Sequence, residues 1–334
     1  MTNFLSLSEL YNDITILKVL KNSSFYYISN KKFPSNNFTF YVFIINNNNY
    51  IHDFEFKPIT DRFLFNKDDS NLILLNKDFT ILELDKVIFI KFIHDNAGHA
   101  LGNIMNTIYK LKDIDLSDYK IIITEDLINF SYFLTSVIYL FFDESQITIV
   151  NDKTLVNFNE TYVIKDYSYK NEQSSNFLVN KLKLFDCMYD KNLIHKNIFL
   201  IKSCKTKNQY LNHRIFNNEY NEYLTEMGFK MIIPEDYDIR SLFHVINNAS
   251  NIIMSWGCCS YLNSIFVNEN ANVLVLAHIG YEHEYTQIRD NYPGGIFKSA
   301  WFPEKCNKKQ IAYCKTELDN NIKLELKKCI SNMI

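Results

Sequence analysis

Between Arg214 and Phe266, apolar runs of strand length alternate with segments that have the period of a helix. The strand-length runs cover 229–233 and 252–255, and the helical segments cover 219–227, 238–248 and 260–267. This alternation predicts parallel strands joined by helices. Loops after the strands of a parallel sheet line the ligand crevice, so polar residues in those loops are candidates for chemistry.

The same alternation occurs earlier in the chain, after a different beginning. Residues 1–85 contain short alternating runs separated by Asn, Pro and Asp, which is typical of β structure. From residue 87 onward, strands are predicted at 87–92, 120–124 and 146–150, with helices at 97–111 and 127–141. We predict an α/β fold in which two Rossmann-like domains face a cleft, preceded by a β-rich N-terminal segment.

The predicted domains follow from these patterns. An N-terminal domain covers 1–190, with its β-rich part at 1–85 and its Rossmann-like part at 86–170. A second Rossmann-like domain covers 191–305, and a C-terminal helix that packs back covers 306–334. A chain of 334 residues is long enough for two cores of ordinary size.

Composition limits the classes of protein to consider. A net charge of −3 without a basic stripe gives no case for nucleic acid as a partner. No apolar run is long enough to span a membrane, and seven Cys without regular spacing suit a reducing compartment. A cytoplasmic protein is therefore expected, and a homo-oligomer is left open.

Gly257 and Arg214 are the candidates for binding a phosphate. Gly257 stands between a predicted strand and a predicted helix, where free N–H groups can bind an anion, although a tight turn also needs a glycine there. Arg214 closes the polar loop 203–213 that follows the strand 197–201, and Lys202 stands at the end of that strand as a second candidate cation. A guanidinium matches a diphosphate, but a salt bridge from Arg214 to Glu219 is an equal alternative.

The first half has its own group of polar residues at 94–103. The group follows the strand 87–92, opens a helix and consists of His94, Asp95, Asn96, His99 and Asn103. Imidazole and carboxylate can take a proton from a sugar hydroxyl near neutral pH. Asp95 or Asn96 could instead only cap the helix, and His99 could be a core histidine.

Two D-x-D sequences, at 113–115 and 236–238, match a metal-binding pattern. Both stand where helices are predicted to begin or end, which is where Asp caps helices and forms turns. We expect no metal and no cofactor.

In order and spacing, these residues resemble family 61 glycosyltransferases. The matching sequences are Asn96-Ala97-Gly98-His99, Arg214-Ile215-Phe216-Asn217 with Glu219, Gly228-Phe229, Pro234-Glu235, and Gly257 followed by Asn263 and Phe266. The resemblance covers about 88–280. The chain departs from it at Trp256, where the family often has His, at the single glycine of the turn, and at Asn103, where it has Asp.

The resemblance implies a GT-B arrangement and an inverting, metal-independent hexosyl or pentosyl transfer from a nucleotide sugar to a hydroxyl of a glycan or glycoconjugate. A UDP-sugar is the favoured donor. Asp95 or His99 would be the base, with His94, Asn96 and Asn103 on the acceptor side. The implied diphosphate site consists of Arg214, Lys202, Gly257, Cys258, Cys259 and Ser260. The implied nucleoside or sugar contacts are Glu235, Asn218, Glu219, Trp256 and Asn263.

Two other functions are left open. A dehydrogenase is disfavoured because the chain has no G-x-G-x-x-G sequence. A carbohydrate- or nucleotide-binding protein of the same fold, without catalysis, is the alternative, because the amide Asn103 cannot be a strong base.

Overall fold

The structure is a computed structural model that describes thirteen ranges of the chain. These are 3–6, 16–28, 40–45, 49–52, 80–90, 97–151, 153–164, 172–185, 193–201, 218–255, 263–278, 297–302 and 318–333. At some positions only the backbone is described, including 3–52, 97–99, 218, 255 and 297–302. Contacts divide the chain into two compact units, Met1–Asn171 and Glu172–Ile334.

The described part of the first unit forms one mixed sheet of nine strands. They are β1 (Asn3–Ser6), β2 (Ile16–Ile28), β3 (Phe40–Ile45), β4 (Asn49–His52), β5 (Thr80–Glu83), β6 (Lys86–Phe89), β7 (Lys120–Thr124), β8 (Ile147–Val150) and β9 (Thr154–Ile164). The order is β1-β4-β3-β2-β9-β6-β7-β8, and β5 also pairs with β9. The strands β6, β7, β8 and β9 run parallel, whereas β2 is antiparallel to β9. The β-rich prediction for 1–85 is confirmed for the described strands.

Three helices connect the parallel strands of the first unit: α1 (Ala97–Lys110), α2 (Glu125–Phe130) and α3 (Tyr132–Phe141). The prediction of one helix at 127–141 is wrong, because Ser131 leaves the helical conformation with φ −160° and ψ 116°. The Ser131 hydroxyl accepts a hydrogen bond from the N–H of Leu134 at 3.4 Å and so caps α3.

The second unit contains a sheet whose described strands are all parallel. They are β10 (Asn197–Leu200), β11 (Lys230–Ile232), β12 (Asn251–Ser255), β13 (Asn272–His278) and β14 (Phe297–Phe302). Their spatial order is β11-β10-β12-β13-β14, which reads 2-1-3-4-5 when the strands are numbered along the chain. The α/β class predicted from the sequence is therefore confirmed, with parallel strands in both units.

Four described helices accompany this sheet: α4 (Glu172–Lys183), α5 (Asn218–Glu226), α6 (Ile239–Asn247) and α7 (Asn320–Ser331). The C-terminal helix α7 buries Ile322, Leu326 and Ile330 in a core that also contains Phe199 of β10 and Leu274 of β13. The hydroxyl of Tyr223 on α5 donates to the main-chain oxygen of Lys323 on α7 at 3.2 Å. The helix α7 is thus an integral part of the second unit's core.

Three asparagines mark the amino edge of this sheet. Asn197, Asn251 and Asn272 occupy one register position on β10, β12 and β13, and their amides contact each other at 2.8 and 2.9 Å. The amide of Asn272 also donates to the main-chain oxygen of Met333 at 2.8 Å. The polar groups at this edge are therefore satisfied within the fold, which directs the search for a ligand site to the opposite edge.

Gly228 follows α5 and has the left-handed φ of +86° that is common just after the C-terminus of a helix. The N–H of Gly228 donates to the oxygen of Thr225, and the N–H of Phe229 donates to the oxygen of Leu224, both at 3.0 Å. These two bonds form a Schellman motif, and the side chains of Leu224 and Phe229 are both buried in the adjoining core.

We expect Gly228→Ala to lower the free energy of unfolding by about 1–2 kcal/mol, because an L-residue is strained at this φ. Space is not the cause, since no atom lies within 4 Å of the added Cβ. Gly228→Asn should cost less, because Asn visits this conformation. Urea unfolding followed by tryptophan fluorescence measures the free energy of unfolding of both variants, because Trp256 and Trp301 both belong to the second unit. Equal losses for Ala and Asn would contradict this explanation.

Candidate functional site

The strand order of the second unit reverses between β10 and β12. The chain moves from β10 to β11 on one side and then returns to β12 on the other side of β10. The two strands are adjacent, with Leu200 opposite Met254 near their carboxyl ends. In an open parallel sheet, ligands bind outside the carboxyl ends of the strands at such a reversal point. We take this edge as the candidate site.

Two groups of predicted donor-site residues follow these strands in sequence. Lys202 and Arg214 come after β10, while Trp256, Gly257, Cys258, Cys259 and Ser260 come after β12. All seven lie outside the described residues. The last described residue before each segment is Ile201, which is buried, after β10, and Ser255, described by its backbone, at the end of β12. The predicted cationic and glycine-containing segments therefore begin at neighbouring strand ends.

Glu235 lies at the carboxyl edge of the second sheet, in the turn that follows β11. The N–H of Ile201 donates to the oxygen of Ile232 at 3.0 Å, which aligns the end of β11 with the end of β10. A single 3₁₀ turn, Pro234–Asp236, follows, with Pro234 buried and Glu235 half-buried. Burial, and then the charge of Asp236, raise the pKa of the adjacent Tyr237. Glu235 thus stands at the end of the second strand of the unit, beside the reversal point.

Asn218 and Glu219 open the helix α5. The backbone of Asn218 is the first residue of the helix, and its side chain lies outside the described part. Glu219 is exposed in the first turn, where a carboxylate is favourable. The next residue, Tyr220, is buried, and burial together with the charges of Asp319 and Glu219 raises its pKa. Because Arg214 lies outside the described residues, the alternative of a salt bridge between Glu219 and Arg214 remains a prediction.

Asn263 is buried, with 2% of its surface exposed. Its main-chain oxygen accepts a hydrogen bond from the N–H of Phe266 at 3.0 Å. The ring of Phe266 packs edge-on against Phe243 of α6, with 6.0 Å between the ring centres. Asn263 is therefore held by the core of the second unit.

In the first unit, the predicted polar group begins where β6 ends. His94, Asp95 and Asn96 lie outside the described residues, and for His99 only the backbone is described, in the first turn of α1. Asn103 is described fully and is 6% exposed. Its Oδ1 atom accepts no hydrogen bond from the described residues, although buried amide oxygens nearly always do.

Sequence reasoning missed Asp126, a buried carboxylate at the same edge of the first sheet. β7 ends at Thr124, whose hydroxyl accepts from the N–H of Leu127 at 3.4 Å and caps α2. Asp126 follows in the first turn of α2 and is 6% exposed. β7 is paired with β6, so Asp126 follows the strand next to the one that leads to His94. The sequence Thr124-Glu125-Asp126 directly after the apolar run 121–123 was the available signal.

The D-x-D sequences serve the local fold. Asp238 caps α6 by accepting from the N–H groups of Arg240 and Ser241 at 2.9 and 3.1 Å. Asp115 accepts from the N–H of Ser117 at 3.0 Å, which lowers the pKa of Asp115, and Asp113 contacts Lys112. The interpretation of these aspartates as caps and turns is confirmed for Asp115 and Asp238. Within the described ranges, no cluster of three His, Cys, Asp or Glu could hold a metal ion.

Comparison with known proteins adds no identification. No protein-family model matches the sequence, and no curated protein gave a match. The resemblance to family 61 glycosyltransferases therefore stays a prediction. Among the helices that the structure describes, none is both long enough and apolar enough to cross a membrane.

Proposed function

We propose that this chain is a glycosyltransferase that moves a hexosyl or pentosyl group from a nucleotide sugar to a hydroxyl of a glycan or glycoconjugate, with inversion and without a metal. The observation that carries the proposal is the reversal of strand order between β10 and β12. The diphosphate of a nucleotide sugar bound at this point would contact the segments that contain Lys202, Arg214 and Gly257.

The proposed donor site assigns one task to each segment. Arg214, with Lys202, neutralises the diphosphate and the charge that builds on it as it leaves. N–H groups between Gly257 and Ser260 bind phosphate oxygens. Glu235, at the end of the second strand, accepts a hydrogen bond from the ribose, as an acidic residue at the end of a second strand does in dinucleotide-binding sheets. Asn218, Glu219, Trp256 and Asn263 complete the nucleoside or sugar contacts.

The proposed acceptor site belongs to the first unit. Asp95 or His99 removes the proton from the attacking hydroxyl, and His94, Asn96 and Asn103 surround the acceptor. Inversion requires the attack on the face opposite the leaving diphosphate.

The second candidate is a carbohydrate- or nucleotide-binding protein without catalysis. Asn103 favours it, because an amide cannot act as a base. Incubation with a panel of nucleotide sugars separates the two functions. A transferase releases nucleoside diphosphate, slowly to water and faster with an acceptor, whereas a binding protein is stabilised by the nucleotide and releases none. Thermal-shift measurements with uridine, guanosine, cytidine and thymidine diphosphates identify the base.

The assignment of Glu235 gives a prediction that does not depend on turnover. Wild-type protein should bind uridine diphosphate about 10- to 100-fold more tightly than the 2′-deoxy analogue, because a hydrogen bond to a charged group contributes about 1.5–3 kcal/mol. Glu235→Ala should bind both ligands with equal, lower affinity in calorimetric titrations. Glu226→Ala is the control, since Glu226 is exposed at the C-terminal end of α5, before β11 begins. A preference that survives in Glu235→Ala would contradict the ribose contact.

A further inference from the structure

The strand β8 is an edge strand of the first sheet. It pairs with β7 on one side and is the last strand in the order β1-β4-β3-β2-β9-β6-β7-β8. The described residues provide no strand on its other side. Alternate residues of a paired strand direct their N–H and C=O groups away from the neighbouring strand. The outer side of β8 therefore offers backbone hydrogen bonds to a further strand.

β8 lacks the side chains that usually protect an edge strand. Its four residues, Ile-Thr-Ile-Val, are all β-branched and carry no charge, and none of them is Pro. Two other strands have a single described neighbour and described side chains, and each exposes a charged residue: Glu83 in β5 and Lys230 in β11. A charge on an edge discourages pairing with another chain. Among these three strands, β8 is the one that is open to pairing.

An exposed isoleucine of β8 continues a buried row of side chains. Ile147 and Ile149 lie opposite Ile121 and Ile123 of β7, so the four side chains share one face of the sheet. Ile121 and Ile123 are 0% exposed, whereas Ile149 is 53% exposed. A further strand with apolar side chains on this face would cover Ile149 and extend the buried row.

We propose that β8 pairs antiparallel with β8 of a second copy of this chain, so that the two first-unit sheets join about a two-fold axis. Such a contact uses the same patch of both copies. With the axis at Thr148, Ile149 lies opposite Ile147 of the second copy. With the axis at Ile149, this residue lies opposite its own copy. In both registers Ile149 packs against an isoleucine, and the contact does not depend on the proposed transferase function.

The absence of charge from β8 favours a second copy as the occupant. In a two-fold strand pair, each residue lies opposite itself or a close neighbour, so a charged residue would face a like charge, which is destabilising. β8 avoids this repulsion along its whole length. Four residues from each copy are fewer than the about 20–30 of a standard interface. We therefore expect a weak dimer, with a dissociation constant in the micromolar range.

Sedimentation velocity of the full-length protein over a range of concentrations tests the contact. Wild type should be monomeric when dilute and dimeric when concentrated. Ile149→Lys should raise the dissociation constant at least about ten-fold, because the two-fold contact brings two lysines into one small interface. Ile149→Val keeps a β-branched apolar side chain and should dimerise within about three-fold of wild type.

Ile81→Lys is the matched control for this substitution. Ile81 is 58% exposed in β5, so the variant makes the same chemical change at a similarly exposed strand position of the same unit. It should leave the dissociation constant unchanged. An equal weakening of the dimer in Ile81→Lys, or an undiminished dimer in Ile149→Lys, would overturn the proposal. A wild-type protein that stays monomeric at every concentration would do the same, and the occupant would then be a different chain or none.

Hydrogen exchange locates the contact in wild-type protein, and it decides the question if Ile149→Lys does not fold. The amides of 147–150 should exchange more slowly above the dissociation constant than below it, because strand pairing protects the outward N–H groups. The amides of 80–83 in β5 should exchange equally at both concentrations. A dimer in which 147–150 gain no protection would be formed by another surface and would refute the pairing of β8.

Discussion

Arg214→Ala is expected to lower kcat for nucleoside diphosphate release by about 100- to 1000-fold, the usual effect of losing one group that stabilises transition-state charge. In the proposed mechanism, negative charge builds on the diphosphate as the sugar leaves, and the guanidinium interacts with that charge more strongly than with the bound donor. The effect should therefore appear mainly in kcat, measured by a coupled assay of released diphosphate. Arg214→Lys should recover only part of the rate, since an ammonium lacks the planar pair of donors.

Arg240→Ala is the matched control for this experiment. Arg240 lies on α6, and its guanidinium stacks over the ring of Phe185 at 4.4 Å from the ring centre. It is outside the proposed donor site, so its loss should leave turnover unchanged and affect only stability. Full activity in Arg214→Ala, or an equal loss in Arg240→Ala, would remove Arg214 from the proposed mechanism.

Leu326→Ala is expected to lower the free energy of unfolding of the second unit by about 2–5 kcal/mol. Leu326 is completely buried, in a core shared by α5, α7, β10, β12 and β13. The substitution removes buried methyl groups and leaves a cavity that surrounding side chains fill only in part. Urea unfolding followed by tryptophan fluorescence reports the effect, because both tryptophans belong to this unit.

The helix α7 offers its own control at the neighbouring exposed position. Leu324 is 55% exposed on the same helix, so Leu324→Ala makes the same chemical change without opening a cavity. Its effect should be within about 0.5 kcal/mol of zero, as for other surface substitutions. Similar losses for both variants would contradict the assignment of the effect to core packing, because Ala forms helices at least as well as Leu.

Local periodicity predicted most helices and strands of the described chain. The strand 120–124 was predicted with its observed bounds, and α1, α5 and α6 were predicted to within one or two residues at each end. These elements have a single dominant apolar pattern. The break at Ser131 was missed because α3 is apolar on most sides, so the periodicity continued across the serine that caps it.

Two strands, β9 and β14, were not predicted, because their identity depends on distant partners. β9 is paired with β2 and β6, and β14 lies at the edge of the second sheet next to β13. The strand order 2-1-3-4-5, which selects the candidate site, is likewise a property of long-range pairing. The chemistry of their side chains alone indicated Asp95, His99 and Arg214 as candidate site residues. The burial of Asn103 and Asp126 could be seen only in the three-dimensional structure.

The pairing of β9 with β2 has a consequence for the order in which the chain folds. Ile16 is opposite Ile164, and β9 also joins β2 to the parallel strands through β6. During synthesis the N-terminal strands are made first, but the strand that connects them to β6 emerges only after residue 154. Contacts between such distant residues form slowly, since a large loop must close before they stabilise the fold. The early strands of the first unit can pair with one another, but they stay unconnected to β6 until β9 has been made. A chaperone would be most useful to them during this interval.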